Sequence, residues 1–255
     1  MISLRSTLLP LGLALAAGGG VPGTATGQDD FLFRAPVAAL TLRVGPMLYS
    51  ANSDVFDFLT DTLTLSRGDF RAPAFGAELV LMPSSRLDVV LGFMTSATET
   101  KSEFRNWVDE GPTPSEDDDL PIEQVTRLRT IPVTASVRYL LVPRGRRVSR
   151  LAWLPRSAVP YLGGGAGVTW YRLRQEGDFV DYRDFAIFPD QLESKSQQVT
   201  FHGLAGLDYW FAARFGLNAE ARYTYGKAQP NDSFSSFDKL DLGGFQATLG
   251  LSFRW

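Results

Sequence analysis

In the stretch "NAEARYT", residues 218–224, polar and small or apolar residues alternate strictly. Asn218, Glu220, Arg222 and Thr224 would share one face of an extended strand, with Ala219, Ala221 and Tyr223 on the other. The same parity puts Glu78, Asp88, Arg138, His202, Asp208 and Arg254 on the polar faces of their segments, together with Arg43. Two acids such as Glu78 and Glu220 could do general acid–base work, but arginines at neighbouring positions would hold both ionised. His202 is the single histidine, so any His-based triad must use it. The chain has no cysteine, which removes thiolate catalysis, disulfides and Cys-based zinc sites. No GxSxG, HExxH or phosphate-cradling loop occurs. These residues predict a lumenal charge network centred on Glu78, Arg138, Glu220 and Arg222, with His202 and Asp208 beside it, and no catalytic residue, metal or cofactor. Charges withdrawn from water must be paired. Such a network would be either a structural plug or a gate that swaps partners to open a narrow path.

Two further stretches carry charge. The run "PSEDDDLPIE" (114–123) could hold divalent cations or be a solvated acidic loop, and it lacks the spacing of a calcium loop. The run "RGRRVSRLAWLPR" (144–156) sets Arg144, Arg146, Arg147 and Arg150 around Trp153. A short amphipathic segment on an anionic membrane surface would use both residue types; peptidoglycan or protein contact would be the competing uses.

The elements that must position these residues are strands. Period-2 alternation recurs in eight segments, at roughly 37–50, 71–82, 87–100, 123–142, 158–174, 197–212, 215–228 and 239–255. Short connections such as "PSSR" and "AAR" alternate with longer polar ones at 51–70, 101–122, 175–196 and 229–238. That layout predicts an antiparallel up-and-down meander with turns on one rim and loops on the other. The connection at 143–157 is long on the short-turn side. Pro46 and Pro132 fall inside strands, which predicts bulges near the outer rim. The aromatics of 175–196, Phe179, Tyr182, Phe185 and Phe188, are expected to pack on the barrel mouth.

The apolar face carries Leu40, Leu42 and Val44, Phe75 and Leu79, Leu91 and Phe93, Val133 and Val137, Leu217 and Leu249. A soluble barrel with an apolar interior would coat its polar face with lysine and glutamate. Here there are four lysines, Lys101, Lys195, Lys227 and Lys239, all in or beside the long connections, and the polar face is rich in Gly, Ser and Thr. The apolar face therefore meets lipid, and closure into a barrel pairs every strand edge. Residues 1–27 read as a cleaved signal peptide, with Arg5 before a short apolar core and small residues before Gln28, and 28–255 as the barrel domain. Net charge of −3 offers no electrostatic case for nucleic acid.

The stretches "VPYLGGGAGVTWYRL" (159–173) and "GLDYWFAARFGLNAEARYTYG" (206–226) resemble the fifth strand and the sixth-to-seventh hairpin of small OmpA-, OmpX- and OmpW-type barrels. The ending "FQATLGLSFRW" resembles the assembly signal of bacterial outer-membrane proteins, with Trp255 where that family usually has Phe. The resemblance implies an all-β, eight-stranded transmembrane β-barrel in a bacterial outer membrane. It implies a monomer in contact with outer-membrane lipids and lipopolysaccharide, delivered by the barrel assembly machinery. Its function would be structural or surface interaction, with a narrow channel for ions or small hydrophobic solutes as the alternative. Outer-membrane lipid A deacylases are eight-stranded too, and place a serine two residues after their histidine. Here that position is Leu204, which removes the nucleophile and leaves a lipid A-modifying enzyme as the least favoured reading.

Overall fold

A computed structural model describes residues 31–109, 120–150, 152–181, 183 and 185–255. The expected signal peptide, most of the acidic run and Tyr182 lie outside the described residues.

Eight antiparallel strands close into one barrel: β1 (Ala38–Tyr49), β2 (Ala72–Leu81), β3 (Leu87–Asp109), β4 (Leu120–Leu140), β5 (Ala158–Val180), β6 (Ile187–Trp210), β7 (Phe215–Tyr225) and β8 (Gly244–Arg254). Each strand pairs with its sequence neighbour, and β8 closes the cylinder against β1, from Ala39 opposite Arg254 to Tyr49 opposite Gly244. At Gly244 the backbone has φ of +157°, and a Cβ would meet the Leu48 carbonyl oxygen at 2.1 Å, so only glycine fits where β8 joins the wall.

The faces separate as the alternation requires. Along β8, Phe245, Leu249, Leu251, Phe253 and Trp255 point out, while Gln246, Thr248, Ser252 and Arg254 are buried in the lumen. The outward apolar band runs 11 residues on β7 and 11 on β8, and covers 131–141 on β4, 160–170 on β5 and 199–209 on β6. A tilted strand of ~9–11 residues spans the hydrocarbon layer. Water would not tolerate so continuous an apolar belt; lipid requires it. The register places Leu249 midway along this belt, beside Val44 and Ala219, and it is 66% exposed. Leu249→Arg will therefore destabilise the vesicle-folded barrel by about 2–4 kcal/mol, read as a lower urea midpoint. On a water-facing wall the same substitution would fall within about 0.5 kcal/mol of neutral.

Two expectations are corrected. The connections at 101–122 and 175–196 are not loops for most of their length, because β3–β4 and β5–β6 continue as hairpins well above the belt. The prolines do not sit at bulges. At Pro46 the β1–β8 ladder lapses between Val44↔Leu249 and Met47↔Gln246, and at Pro132 the β3–β4 ladder lapses between Phe93↔Val133 and Ser96↔Thr130. The same number of residues is skipped on both strands each time, so the register survives and only the missing N–H is conceded. Pro46 stands opposite Pro73 of β2.

The connection at 51–70 is also not a plain loop. It forms helix α1 (Asp54–Thr62) and a 3-10 turn (Arg67–Phe70). Asp54 and Asp57 lie in the first turn of α1, where the helix dipole favours acids. Val55, Phe56 and Leu59 turn down onto Leu63, Leu65, Phe70, Leu128, Tyr171, Leu173, Phe234 and Leu240, forming an apolar lid over the barrel mouth. Phe56 and Phe70 meet edge to face at 4.7 Å. Arg105, on the extension of β3, ties the lid down through the carbonyls of Thr60 and Leu65, both at 3.0 Å.

Candidate functional site

The lumen is filled in layers. At the short-turn rim the Arg254 guanidinium lies between Trp210, 3.8 Å from its ring centre, and Trp153, 5.3 Å from its own. Trp153 belongs to a hairpin formed by Gly145–Ser149 and Ala152–Pro155, and its backbone exchanges hydrogen bonds with Leu32 at 2.8 and 3.0 Å. Arg144 is buried too, bonded to Asp88 at 2.5 Å and to the Ser84 carbonyl at 2.7 Å. This corrects the expected membrane-surface segment. Arg146, Arg147 and Arg150 are exposed, but Trp153 and Arg144 turn into the barrel end, where Arg254 and Asp88 give each a partner that solvent or lipid would not. Above them an apolar floor is made by Ala39, Val80, Val90, Leu140, Val159 and Leu204.

The charged layer comes next. Glu78 of β2 takes Arg43 Nε at 3.0 Å, Arg222 Nη2 at 2.7 Å and a close contact from Arg138. Glu220 of β7 takes Arg43 Nη1 at 3.0 Å, Arg138 Nη2 at 2.9 Å and Arg222 Nη2 at 2.8 Å. The Tyr161 hydroxyl of β5 donates to Glu220 at 2.9 Å and accepts from Asn218, which also donates to Asp208 at 2.5 Å. Arg138 stacks over the Tyr161 ring at 4.8 Å. Three guanidiniums therefore face two shared carboxylates, with Asp208 close by. The side chains come from β1, β2, β4, β5, β6 and β7, and together they cross the whole lumen.

Of the residues set on polar faces by parity, Arg43, Glu78, Asp88, Arg138, His202, Asn218, Glu220, Arg222 and Arg254 are buried in the barrel and Asp208 and Thr224 are half-buried; Glu78, Arg138, Glu220 and Arg222 are brought together. Sequence reasoning put Arg43 inward without seeing that it bridges both carboxylates, and it missed Tyr161. The run Gly163–Gly165 has no side chains to reveal a face, whereas Tyr161, two residues earlier on the same parity, does. Ser136 was also missed: its Oγ lies 2.7 Å from His202 Nε2. No described residue bonds His202 Nδ1, so this serine–histidine pair lacks the acid that would orient a base.

Between the charged layer and the lid is a cavity of about 40 Å³, lined by Met94, Ser96, Thr130, Thr200, Arg222 and Gln246. It has room for about one water at ~30 Å³ each in the liquid. Tyr49 closes its upper side through Ser96 at 2.5 Å and Thr130 at 2.6 Å.

Charged lumen, apolar belt and closed eight-strand meander define a transmembrane β-barrel of the outer-membrane type. No protein-family model matches the chain, and no curated protein sequence matches it. Solved structures similar to it include the outer membrane protein OprG from Pseudomonas aeruginosa, at 12% identity over 88% of this chain and 99% of that one, with a TM-score of 0.47. Neisserial surface protein A is similar at 12% identity over 87% and 98% of the two chains, with a TM-score of 0.45. Outer Membrane Protein W of E. coli is similar at 14% identity over 87% and 99%, with a TM-score of 0.37. At such identities the likeness concerns the fold alone.

Proposed function

We propose that this protein is a non-enzymatic barrel of a bacterial outer membrane, structural or interacting at the surface, whose lumen is a plug rather than a path. The observation that carries the reading is the sharing of Glu78 and Glu220 by Arg43, Arg138 and Arg222. Glu78 and Glu220 each have three guanidinium partners, so opening a path through this layer would strand more than one buried charge, at several kcal/mol each. The lid above and the Trp153–Arg254–Trp210 stack below are two further obstacles. Outer-membrane lipids and lipopolysaccharide along the wall, the assembly machinery during biogenesis, and a monomeric state complete this reading. Nucleic acid has no part in it.

The narrow channel is the second reading. Because one guanidinium can reach either carboxylate, a gate could exchange partners by side-chain rotation alone. Planar-bilayer recording decides between the two. Wild-type protein is expected to give silent bilayers, and so are Arg138→Ala and Glu220→Ala, since floor and lid remain. Step conductance in the wild type that changes on either substitution would replace the plug with the gate.

A further inference from the structure

The outer wall carries one feature that neither a plug nor a channel uses. Just above the apolar belt, on the loop-side rim, Arg129 of β4, Arg172 of β5 and Lys195 of β6 stand directly opposite one another across two strand pairs. All three are exposed and point outward. Like charges directly opposite in a sheet repel, and here three occur in a row. In the next row up, Glu99, Arg127, Arg174 and Glu193, two arginines also face each other, but each has a carboxylate on its other side, at 2.8 Å for Arg127 and 2.9 Å for Arg174. The lower row has only long contacts, from Arg172 to Glu193 at 3.5 Å and from Lys195 to Glu193 at 3.8 Å. Arg129 has no ion pair among the described residues. Its neighbour on β3 is Ala97, which supplies no counter-charge.

Beneath the row lie Ile131, Trp170 and Gln197, and beneath those the wholly apolar Val133, Val168 and Val199. Arg129, Ile131, Trp170, Arg172 and Lys195 line one shallow hollow of the outer wall. A ligand that fits would bring an anion to the cation row, a flat polar group to the Trp170 edge and hydrocarbon to the valines. On β7 and β8 the loop-side end of the belt carries the aromatics Tyr225 and Phe245.

We propose that Arg129, Arg172 and Lys195 form a clamp for the phosphate of an outer-leaflet glycolipid, with its acyl chains lying on the β4–β6 wall. The missing counter-charge of the row is then supplied by the membrane. The clamp rests on the membrane-barrel reading above and names one lipid class for it.

The test is native mass spectrometry of the full, folded protein released from detergent micelles, after equilibration with bisphosphorylated lipid A or with the same glycolipid dephosphorylated. Each cation near a membrane surface contributes roughly fivefold, so Arg129→Gln/Arg172→Gln/Lys195→Gln is expected to retain phosphorylated lipid A about a hundredfold less. Arg129→Gln alone should lose about fivefold, and Arg67→Gln, on the lid, should lose nothing. Equal retention of the dephosphorylated lipid, or unchanged retention by the triple variant, would overturn the clamp. Displacement by an equimolar amount of inorganic phosphate would overturn its lipid character. Each sample is also run boiled and unboiled on a denaturing gel: a wild type without a heat-dependent shift would overturn the membrane placement itself, whereas a shifted wild type without lipid would overturn the clamp alone.

Discussion

Glu220→Ala will lower the stability of the folded barrel by about 3–5 kcal/mol, the scale for removing one partner of a buried ion pair. Three guanidiniums would then share Glu78 alone, and the Tyr161 hydroxyl would lose its acceptor. Glu220→Gln should cost less, because the amide oxygen can still accept from Tyr161 and one arginine. Adding Arg138→Met to Glu220→Ala should recover part of the loss, since it removes the charge left most buried. The urea midpoint of protein folded into vesicles, followed by the gel shift, measures all three. A loss below 1 kcal/mol for Glu220→Ala would mean that water already solvates this layer.

Phe56→Ala should have a comparable local effect, about 3–5 kcal/mol for a large buried aromatic, but on the lid and not the wall. Phe56 is fully buried in the lid cluster, where it meets Phe70 edge to face, and it belongs to α1 rather than to any strand of the closed barrel. Its removal should raise the population of the open lid by roughly a hundredfold or more, seen as faster protease cleavage within 51–70 at an unchanged barrel midpoint. If wall and lid lose stability together, the two are one cooperative unit, and the layered description of the lumen is wrong.

These predictions depend on features of very different legibility. The belt could be read directly, because lipid demands apolar residues at every second position and the lumen demands polar ones between them; Leu249 beside Thr248 is the pattern in miniature. Above the belt that contrast ends. In β3, Thr98, Thr100 and Ser102 alternate with Glu99, Lys101 and Glu103, and with polar residues on both faces no period-2 hydrophobic signal marks the strand. By sequence the hairpin extensions therefore look like loops. Helix α1 does leave a trace, with Ser53 and Asp54 ahead of apolar residues at 55, 56, 59 and 63, but the polar residues between them mask so short a helix. Trp153 misled for another reason. An aromatic among arginines looks amphipathic until its partner is known, and that partner, Arg254, lies on the last strand. In the charged layer parity supplied the facing of each residue, but not which carboxylate would be shared, since that depends on the stagger around the whole cylinder.

The claim beneath all of this is that the exposed apolar belt faces lipid around a closed barrel. The most direct measurement is electrophoretic: boiled against unboiled protein from the outer-membrane fraction on a denaturing gel. A lipid-facing belt requires recovery in that fraction and a compact band that shifts only on boiling. Recovery as a soluble periplasmic protein, with no shift, would contradict it.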